Sequence, residues 1–417
     1  MTRQDIILLT IDCWRYDAID RMNRLISHTE NYTTTETVCQ SAATHGVFAS
    51  IFNSTYYPQT YTDSDSVKED VRPLPAILAD RGYSTGGFAA SNPRVDKWAG
   101  FFERFWNGER KETILGRIPY KARNSSKFLL LKQDVSATET GSKAKEWYES
   151  VDEPRFLWMH LMDLHGPTYP GFRRGIEGGL VQTYASLLES FRADPPSEDT
   201  LSDRTQQTIQ ELYWQCVDLL DERIEHLLSF VDDDATVIIM GDHGHEFDHG
   251  LYKHSRLYDE CVRVPLLVRW TLDEPLRLPN GPVRQLDIAP TILDALGIDV
   301  PDDWEGSVID GDSRPSFMLM GAPQLSRLYT GLRTEEHKLI KTFEQESGEE
   351  LDTELYDLVS DPDEINDIYD REEGVASEFE EKLEEFCDRI GVRNENLLPN
   401  QTVSKDVERR LKELGYM

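Results

Sequence analysis

The chain has 417 residues and carries 44 Lys and Arg against 77 Asp and Glu, a net charge of −33 at pH 7. This charge argues against a nucleic-acid or anionic-membrane partner, because such partners require a basic binding face. Hydrophobic residues make up 39% of the chain and aromatic residues 10%, which is enough for a sizeable core and excludes a disordered chain. An acidic surface in which Arg outnumbers Lys favours a halophilic, haloarchaeal source, since concentrated salt screens self-repulsion.

The beginning of the chain and its cysteines predict the compartment. The first apolar run spans only Ile6–Ile11 and lacks the longer apolar stretch and cleavage site of a signal peptide. No window approaches the ~18 apolar residues of a membrane helix. The five cysteines show no CxxC pairing, so we expect neither a disulfide scaffold nor a zinc knuckle. We therefore expect a cytoplasmic protein.

Three continuous apolar runs predict parallel strands that are buried on both faces. These runs are Ile6–Ile11, Arg155–His160 and Ala235–Met240. Polar residues follow each run, and ligands of open α/β sheets bind beyond the carboxyl ends of the strands. We therefore expect Asp12, the segment His160–His165 and the segment Asp242–His245 to be neighbours in space.

Helical spacing of apolar residues predicts helices at Ser202–Phe230 and Asp287–Leu296. After about residue 315, short strand-like pieces precede an acidic helix at Ser377–Ile390. These pieces are Ser316–Met320, Leu328–Arg333 and His337–Thr342. We interpret the acidic run Glu346–Glu354 as a solvated loop.

The order of these elements predicts the domain organisation. Alternating strands and helices are typical of an α/β domain, which we assign to residues 1–315. The shorter strands and the acidic helix predict a smaller C-terminal α+β subdomain at residues 316–417.

The sequence Gly241-Asp242-His243-Gly244 follows the third apolar run and is a candidate metal motif. A carboxylate beside an imidazole presents two metal ligands, and the glycines allow close approach. Asp12, at the end of another strand, would complete a set of three. Two carboxylates and one imidazole suit Mn²⁺ or Zn²⁺ better than an ion that binds oxygen alone. The alternative is an ordinary turn with a hydrogen-bonded histidine.

Further histidines occupy informative positions in the chain. His165 follows the second apolar run, and His249 and His254 lie within twelve residues of Asp242. A cation-rich pocket beside a metal would stabilise the charge of an anionic ester. The alternative is a surface loop in which histidines occur by chance.

Five segments, in this order, resemble the sulfatase family of the alkaline phosphatase superfamily over almost the whole chain. Ile7–Arg15 is similar to the opening strand whose Asp holds the metal, and Val237–Gly244 resembles the second metal motif. The other three segments are Leu257–Val268, Gln285–Gly297 and Glu354–Ile368. The resemblance implies a three-layer α/β/α fold, one divalent ion (Mn, Zn, Mg or Ca, with Mn or Zn favoured), and hydrolysis of a small anionic sulfate or phosphate ester, such as a sulfated or phosphorylated sugar.

The chain departs from this family at the nucleophile. Cys39-Gln40-Ser41-Ala42-Ala43 lacks the Pro and the Arg of the Cys-x-Pro-x-Arg motif that matures to formylglycine. Thr44, eight residues before Phe52, resembles by its spacing the threonine nucleophile of the phosphoethanolamine transferases. Their Ser-His-Gly-Pro stretch is also similar to residues 164–167 here. We favour Thr44 over Cys39 and Ser41; alternatively, all three lie in a loop without chemistry.

The predicted site combines these residues. Asp12, Thr44, Asp242 and His243 are the predicted metal ligands, and coordination would activate the Thr44 hydroxyl. The predicted catalytic residues are Thr44, His165, His254 and Lys253, with Asn53 a weaker candidate for an oxygen contact. Two alternatives stay open: a phosphodiesterase or phospho-group transferase of the same superfamily, and a non-catalytic binder of anionic glycans.

Overall fold

The computed structural model describes residues 4–108, 128–133, 135–193 and 195–392. The strands of its large sheet are β1 (Ile6–Ile11), β2 (Thr33–Val38), β3 (Ser84–Ala89), β4 (Arg104–Asn107), β5 (Arg155–Leu161), β6 (Thr236–Gly241), β7 (Arg263–Arg269) and β8 (Val283–Arg284). Within the described residues they pair in the order β4-β3-β5-β1-β6-β7-β2-β8. Pairing is parallel from β4 to β6, whereas β7 is antiparallel to both its neighbours. The predicted α/β class is confirmed.

The central strand β1 separates two hydrophobic cores. Ile6 and Leu8 belong to one core, while Ile7 and Leu9 belong to the other. A strand covered on both faces must be apolar at every position, which explains the continuous apolar run. The three predicted strands are confirmed, with β5 and β6 each ending one residue later than predicted.

Helices cover both faces of this sheet and form the outer layers of a three-layer α/β/α sandwich. The helices are α1 (Asn23–His28), α2 (Thr44–Asn53), α3 (Tyr57–Thr60), α4 (Leu74–Asp80), α5 (Ala137–Tyr148), α6 (Phe172–Gly175), α7 (Leu180–Ser190), α8 (Asp203–Leu228), α9 (Asp259–Val262), α10 (Ile288–Ala295) and α11 (Glu373–Arg389). Short 3₁₀ helices span Tyr16–Arg21, Pro93–Phe101, Gln285–Asp287 and Pro323–Leu325. Helices α2, α4 and α10 pack on one face, and α1, α5 and α8 pack on the other. None of the helices in the described ranges is long and apolar enough to span a bilayer.

A smaller antiparallel sheet follows the large one. Its strands are β9 (Ser316–Ala322), β10 (Arg327–Arg333), β11 (His337–Glu344) and β12 (Glu350–Asp357). They are ordered β12-β11-β10-β9, and α11 packs against β10 and β11. Met318 and Leu328 belong to the same hydrophobic core as the buried residues of α2, so the two sheets share one core. The part of the predicted subdomain beyond residue 392 lies outside the described residues.

The acidic run Glu346–Glu354 was predicted to be a loop, and this prediction is wrong in its second half. Only the first residues form a turn; Glu350 begins β12, which pairs with β11. The first three residues of β12 are exposed, whereas Leu355 and Tyr356 near its end are buried. Acidic side chains therefore occupy the solvent-facing end of a strand, where backbone pairing does not require apolar residues.

The charge of −33 predicts a salt-dependent stability. At 0.01 M ionic strength the Debye length is ~30 Å, so most of the carboxylates repel one another; at 1 M it is ~3 Å and the repulsion is screened. We expect the melting temperature to be lower in dilute buffer than in molar KCl or NaCl. A melting temperature that is the same across this range would contradict a halophilic protein.

Candidate functional site

The register of the central strands places the predicted metal motif beside Asp12. Ile11 pairs with Leu161 on one side and with Gly241 on the other. The Asp12 N–H donates to the Leu161 carbonyl (2.9 Å), and the Asp242 N–H donates to the Ile11 carbonyl (3.1 Å). The strand ends are therefore adjacent, and the predicted proximity of these segments is confirmed.

Thr44 is the first residue of α2, which points its N-terminus at these strand ends. Its Oγ1 lies 3.1 Å from Asp12 Oδ2 and 3.5 Å from His243 Nε2. Ala43 precedes it in an extended conformation, so the chain turns sharply from loop into helix. The positive end of the helix dipole thus faces these strand ends, where it would favour a bound anion.

The donor atoms fit a divalent ion. Asp12 Oδ1 and Asp242 Oδ2 are buried and accept no hydrogen bond within the described residues. His243 Nε2 lies 3.8 Å from the first oxygen and 3.7 Å from the second. Nδ1 of His243 lies 2.9 Å from the Gly244 carbonyl, so it carries the proton and leaves the Nε2 lone pair to the site. Two orphaned carboxylate oxygens facing an imidazole lone pair are what a bound cation would satisfy.

Two buried carboxylates side by side have opposite pKa shifts. Burial and the Asp12 charge raise the pKa of Asp242 well above its usual range. Burial also acts to raise the pKa of Asp12, but His165, His160 and His243 outweigh it and lower that pKa well below its usual range. Without a cation the Asp242 carboxylate is therefore poorly accommodated as an anion beside the charged Asp12, and a divalent ion would relieve this repulsion.

The remaining histidines surround the same point. The ring of His254 stacks on that of His243, with centroids 4.3 Å apart, and the ring of His165 lies 5.5 Å from His254. Burial lowers the pKa of His165, His243 and His254, which keeps these imidazoles neutral near pH 7. Nδ1 of His254 donates to the Ala42 carbonyl (2.9 Å), so its Nε2 is a proton acceptor.

Two further candidates, Lys253 and His249, differ in their surroundings. Lys253 is half-buried beside His254, and its carbonyl accepts the Glu246 N–H at 2.9 Å. His249 points away from the strand ends: it stacks on Tyr258 and bonds Glu260 Oε1 at 2.6 Å. The predicted histidine cluster therefore divides into site residues and a structural residue.

The competing nucleophile candidates have other partners. Cys39 is fully buried at the end of β2, its N–H bonds to the Val262 carbonyl, and burial raises the pKa of its thiol. Ser41 donates to Met320 Sδ at 3.5 Å. Asn53, the weaker candidate, is at the far end of α2 from Thr44, and its amide donates to Thr55 Oγ1 (3.0 Å). The helix separates it from Thr44 by nine residues, or ~13 Å.

Two polar residues at the site were not among the predicted ligands or catalytic residues. The Asn92 amide donates to Asp12 Oδ2 at 3.3 Å, and His160 Nε2 lies 3.5 Å from the same oxygen. His160 is the penultimate residue of β5. A histidine at the end of an otherwise apolar run was the sequence signal that could have identified it as a site residue. Asn92 follows β3, a strand that the sequence analysis did not find.

The segment after β6 is held by a buried ion cluster around Glu260. Arg15 donates to Glu260 Oε2 (2.7 Å) and to the His245 carbonyl (3.0 Å). Gly244 packs so closely that a Cβ atom there would lie 2.1 Å from the Glu260 carbonyl, which excludes other residues. Burial acts to raise the pKa of Glu260, but His249 and Arg15 outweigh it and lower the pKa to about 2.

This shift predicts a pH-dependent stability. A Glu with an ordinary pKa near ~4.3 when unfolded and about 2 when folded contributes about 3 kcal/mol, fully present above pH ~5 and lost as the pH falls towards 2. Glu260→Gln should therefore lower the unfolding free energy by about 3 kcal/mol at pH 7 and by much less near pH 2. Denaturant titrations at several pH values measure this difference.

The matched control is Glu222→Gln, which removes an exposed partner of Arg174. Because exposed pairs contribute little, its effect should stay below about 1 kcal/mol at every pH. Equal destabilisation by Glu260→Gln at pH 7 and near pH 2 would contradict the assigned cause.

A sequence model of the sulfatase family, described as "Sulfatase", matches residues 8–298. The chain belongs to the sulfatase family. The matched range contains Asp12, Thr44, Asp242 and His243, and the fold expected from the family is confirmed by solved structures. The cysteine motif is the family feature that this sulfatase-family chain does not carry.

An N-acetylglucosamine-6-O-sulfatase of Bacteroides thetaiotaomicron is 26% identical over an alignment of 217 positions, which covers 46% of this chain and 37% of that protein. Other curated relatives are matched over 50% and 55% of their length. The sulfatase-family chain thus spans less than two thirds of the curated relatives that it matches.

Two solved structures share the fold. One, in complex with its substrate D-glucosamine-2-N,6-O-disulfate, has a TM-score of 0.68 at 15% identity and covers 93% of this chain and 98% of its own. A phosphonate monoester hydrolase of Agrobacterium radiobacter has a TM-score of 0.66 at 15% identity, with 93% and 96% covered. The fold of this sulfatase-family chain is therefore shared with a protein that is named for the hydrolysis of phosphonate esters.

Proposed function

We propose that this chain is a metal-dependent hydrolase that cleaves a sulfate ester of a sugar or a similar small anionic molecule, with Thr44 as its nucleophile. The observation that carries the proposal is the placement of the Thr44 hydroxyl, 3.1 Å from Asp12 Oδ2 and 3.5 Å from His243 Nε2. Family membership supports the reaction class, and the N-acetylglucosamine-6-O-sulfatase supports a sugar substrate.

Asp12, Thr44, Asp242 and His243 would hold the ion. A bound divalent cation would supply positive charge that makes the Thr44 hydroxyl more acidic and polarises the ester oxygens. Mn²⁺ and Zn²⁺ are favoured because the donor set mixes carboxylates with an imidazole.

In the first step, Thr44 Oγ1 attacks the sulfur, and the bond from sulfur to the sugar oxygen breaks. The hydroxyl proton leaves along the hydrogen bond to Asp12 Oδ2, and the departing sugar oxygen receives a proton from Lys253, while the neutral His165 donates a hydrogen bond to an equatorial oxygen of the sulfuryl group. The product is a threonine sulfate ester and a free alcohol.

In the second step, water attacks the threonine sulfate. His254 Nε2, whose other nitrogen donates to Ala42, accepts the proton of that water. The bond between sulfur and Thr44 Oγ1 breaks, the threonine recovers its proton from Asp12, and sulfate is released. His254 then loses its extra proton to solvent, and Lys253 takes one back from solvent. Each cycle therefore consumes one ester and one water.

A second candidate is hydrolysis or transfer of a phosphoryl group, and the threonine itself favours it. Hydrated formylglycine can expel sulfate by collapse to the aldehyde, whereas a threonine ester must be hydrolysed or transferred. Such transfer is familiar for phosphoryl groups, and the phosphonate monoester hydrolase shares the fold.

The deciding experiment compares substrates after removal of metal. Chelated protein in concentrated KCl is assayed with 4-nitrophenyl sulfate, 4-nitrophenyl phosphate and bis(4-nitrophenyl) phosphate, after adding Mn²⁺, Zn²⁺, Mg²⁺ or Ca²⁺. We expect metal-dependent turnover of the sulfate ester. Turnover of phosphate esters alone would replace sulfate with phosphate, and no turnover of any ester would favour the non-catalytic binder. Thr44→Ala, purified in parallel, controls for contaminating hydrolases.

A further inference from the structure

We propose that Asn92 is a positioning residue, which clamps Asp12 Oδ2 so that Asp12 Oδ1 stays directed at the ion. This inference rests on the proposed function, because it concerns the same metal site. Asn92 is fully buried, and it was not among the predicted site residues.

The amide of Asn92 has a fixed orientation. It caps the 3₁₀ helix Pro93–Phe101, and its Oδ1 accepts the Arg94 N–H at 2.9 Å. Oxygen and nitrogen of the amide are thereby distinguished, because only the oxygen accepts a hydrogen bond. Nδ2 therefore points into the site, where it lies 3.3 Å from Asp12 Oδ2 and 3.1 Å from His160 Nε2, with the weak acceptor Met162 Sδ at 3.2 Å.

The orientation of Asn92 determines the tautomer of His160. Because Asn92 Nδ2 is a donor, His160 Nε2 must be the acceptor, and the ring proton lies on Nδ1. Nδ1 then donates to Thr10 Oγ1 at 3.0 Å, which also accepts Trp158 Nε1–H at 3.0 Å. The Thr10 hydroxyl donates to the Met159 carbonyl at 3.3 Å. Every polar side-chain atom in this buried series of hydrogen bonds, from Asn92 through His160 to Thr10, has a partner, so the series is rigid.

The same geometry explains how the lone pair of His160 Nε2 can lie near the Asp12 carboxylate without repelling it. His160 Nε2 and Asp12 Oδ2 are 3.5 Å apart, and both are acceptors. The two N–H bonds of the Asn92 amide bridge them, one to each. Oδ2 also accepts the Thr44 hydroxyl, so one Asp12 oxygen is held by protein donors while Oδ1 accepts none within the described residues. The carboxylate cannot rotate without breaking these bonds.

The test is the affinity of metal-free protein for Mn²⁺ and Zn²⁺, measured by calorimetric titration beside the melting temperature. Asn92→Ser keeps a side chain that can cap the helix but removes the amide that reaches Asp12. We expect the metal dissociation constant to rise by ~10–100-fold. Ser136→Ala, which removes the cap of α5, is the control for a lost cap and should leave the metal affinity unchanged.

A second variant tests the contact between Thr10 and His160, the histidine that Asn92 binds. Thr10→Val keeps the side-chain shape but removes the hydroxyl that fixes His160, so metal affinity should fall in the same direction by a smaller factor. An affinity within twofold of wild type in Asn92→Ser would overturn the proposal, whatever its melting temperature. Wild-type protein that binds the ion but cleaves no ester would overturn the proposed function alone, since the affinities still decide the role of Asn92. Wild-type protein that binds no divalent ion would overturn both.

Discussion

Replacing Thr44 with Ala should lower kcat by roughly 10³- to 10⁶-fold, because it removes the attacking oxygen. The fold should survive, since the substitution at the first residue of α2 deletes only a hydroxyl and a methyl group. Its Oγ1 bonds Asp12 and His243 rather than the helix backbone. Single-turnover kinetics with the best substrate, together with circular dichroism, measures both properties.

Two matched variants make this result specific. Thr44→Ser should retain measurable turnover, because a primary hydroxyl can occupy the same position. Cys39→Ala should retain nearly full kcat and lose only packing energy, since Cys39 is fully buried in the core. Turnover that survives Thr44→Ala and disappears with Cys39→Ala, or formylglycine found at Cys39 by mass spectrometry, would show that Thr44 is the wrong residue.

Asp242→Asn should separate metal binding from stability. We expect the affinity for Mn²⁺ or Zn²⁺ to fall by two orders of magnitude or more and turnover at micromolar metal to disappear, because one charged ligand is lost. The metal-free variant should unfold at the same temperature as wild type or higher. Burial and the neighbouring Asp12 charge raise the pKa of Asp242, so removing this carboxylate removes a repulsion.

Asp218→Asn is the control for the loss of one negative charge. Asp218 pairs with Arg21 at the surface, where both side chains are more than 40% exposed, so neither metal affinity nor melting temperature should change by much. An Asp242→Asn variant that unfolds more easily than metal-free wild type would contradict the repulsion between the two carboxylates. Undiminished metal affinity would remove Asp242 from the ligand set.

In the large sheet, the strands that the sequence predicted are those buried on both faces. Strands β1, β5 and β6 show unbroken apolar runs because two cores require them. Strand β2, with the sequence TTTETV, has exposed residues in its first half and so lacks that signal. Strand β3 contains Gly86 and Gly87, whose missing side chains make room for Trp147 and Phe105, and glycine is unfavourable in sequence-based strand assignment.

This difference also decides which site residues were found. Asp12 and Asp242 follow predicted strands, so the rule that ligands lie at strand ends located them before any coordinates. Asn92 follows β3 and was missed with it. The roles of Glu260 and Arg15 depend on contacts between residues 245 positions apart, which no local pattern encodes. Sequence patterns therefore located the candidate ligands, whereas the groups that contact them required the fold.

The burial of helix α2 has a consequence for how the proposed activity could be turned to new substrates. All of its residues except His45 are buried, and Phe48 and Phe52 pack edge-on against Trp158 beneath the site. A change along this helix would shift Thr44 together with the core. Laboratory evolution of specificity should therefore randomise the surrounding loops, such as residues 61–68 and 166–170, and leave the helix untouched. Libraries built on α2 itself should yield mostly unfolded clones.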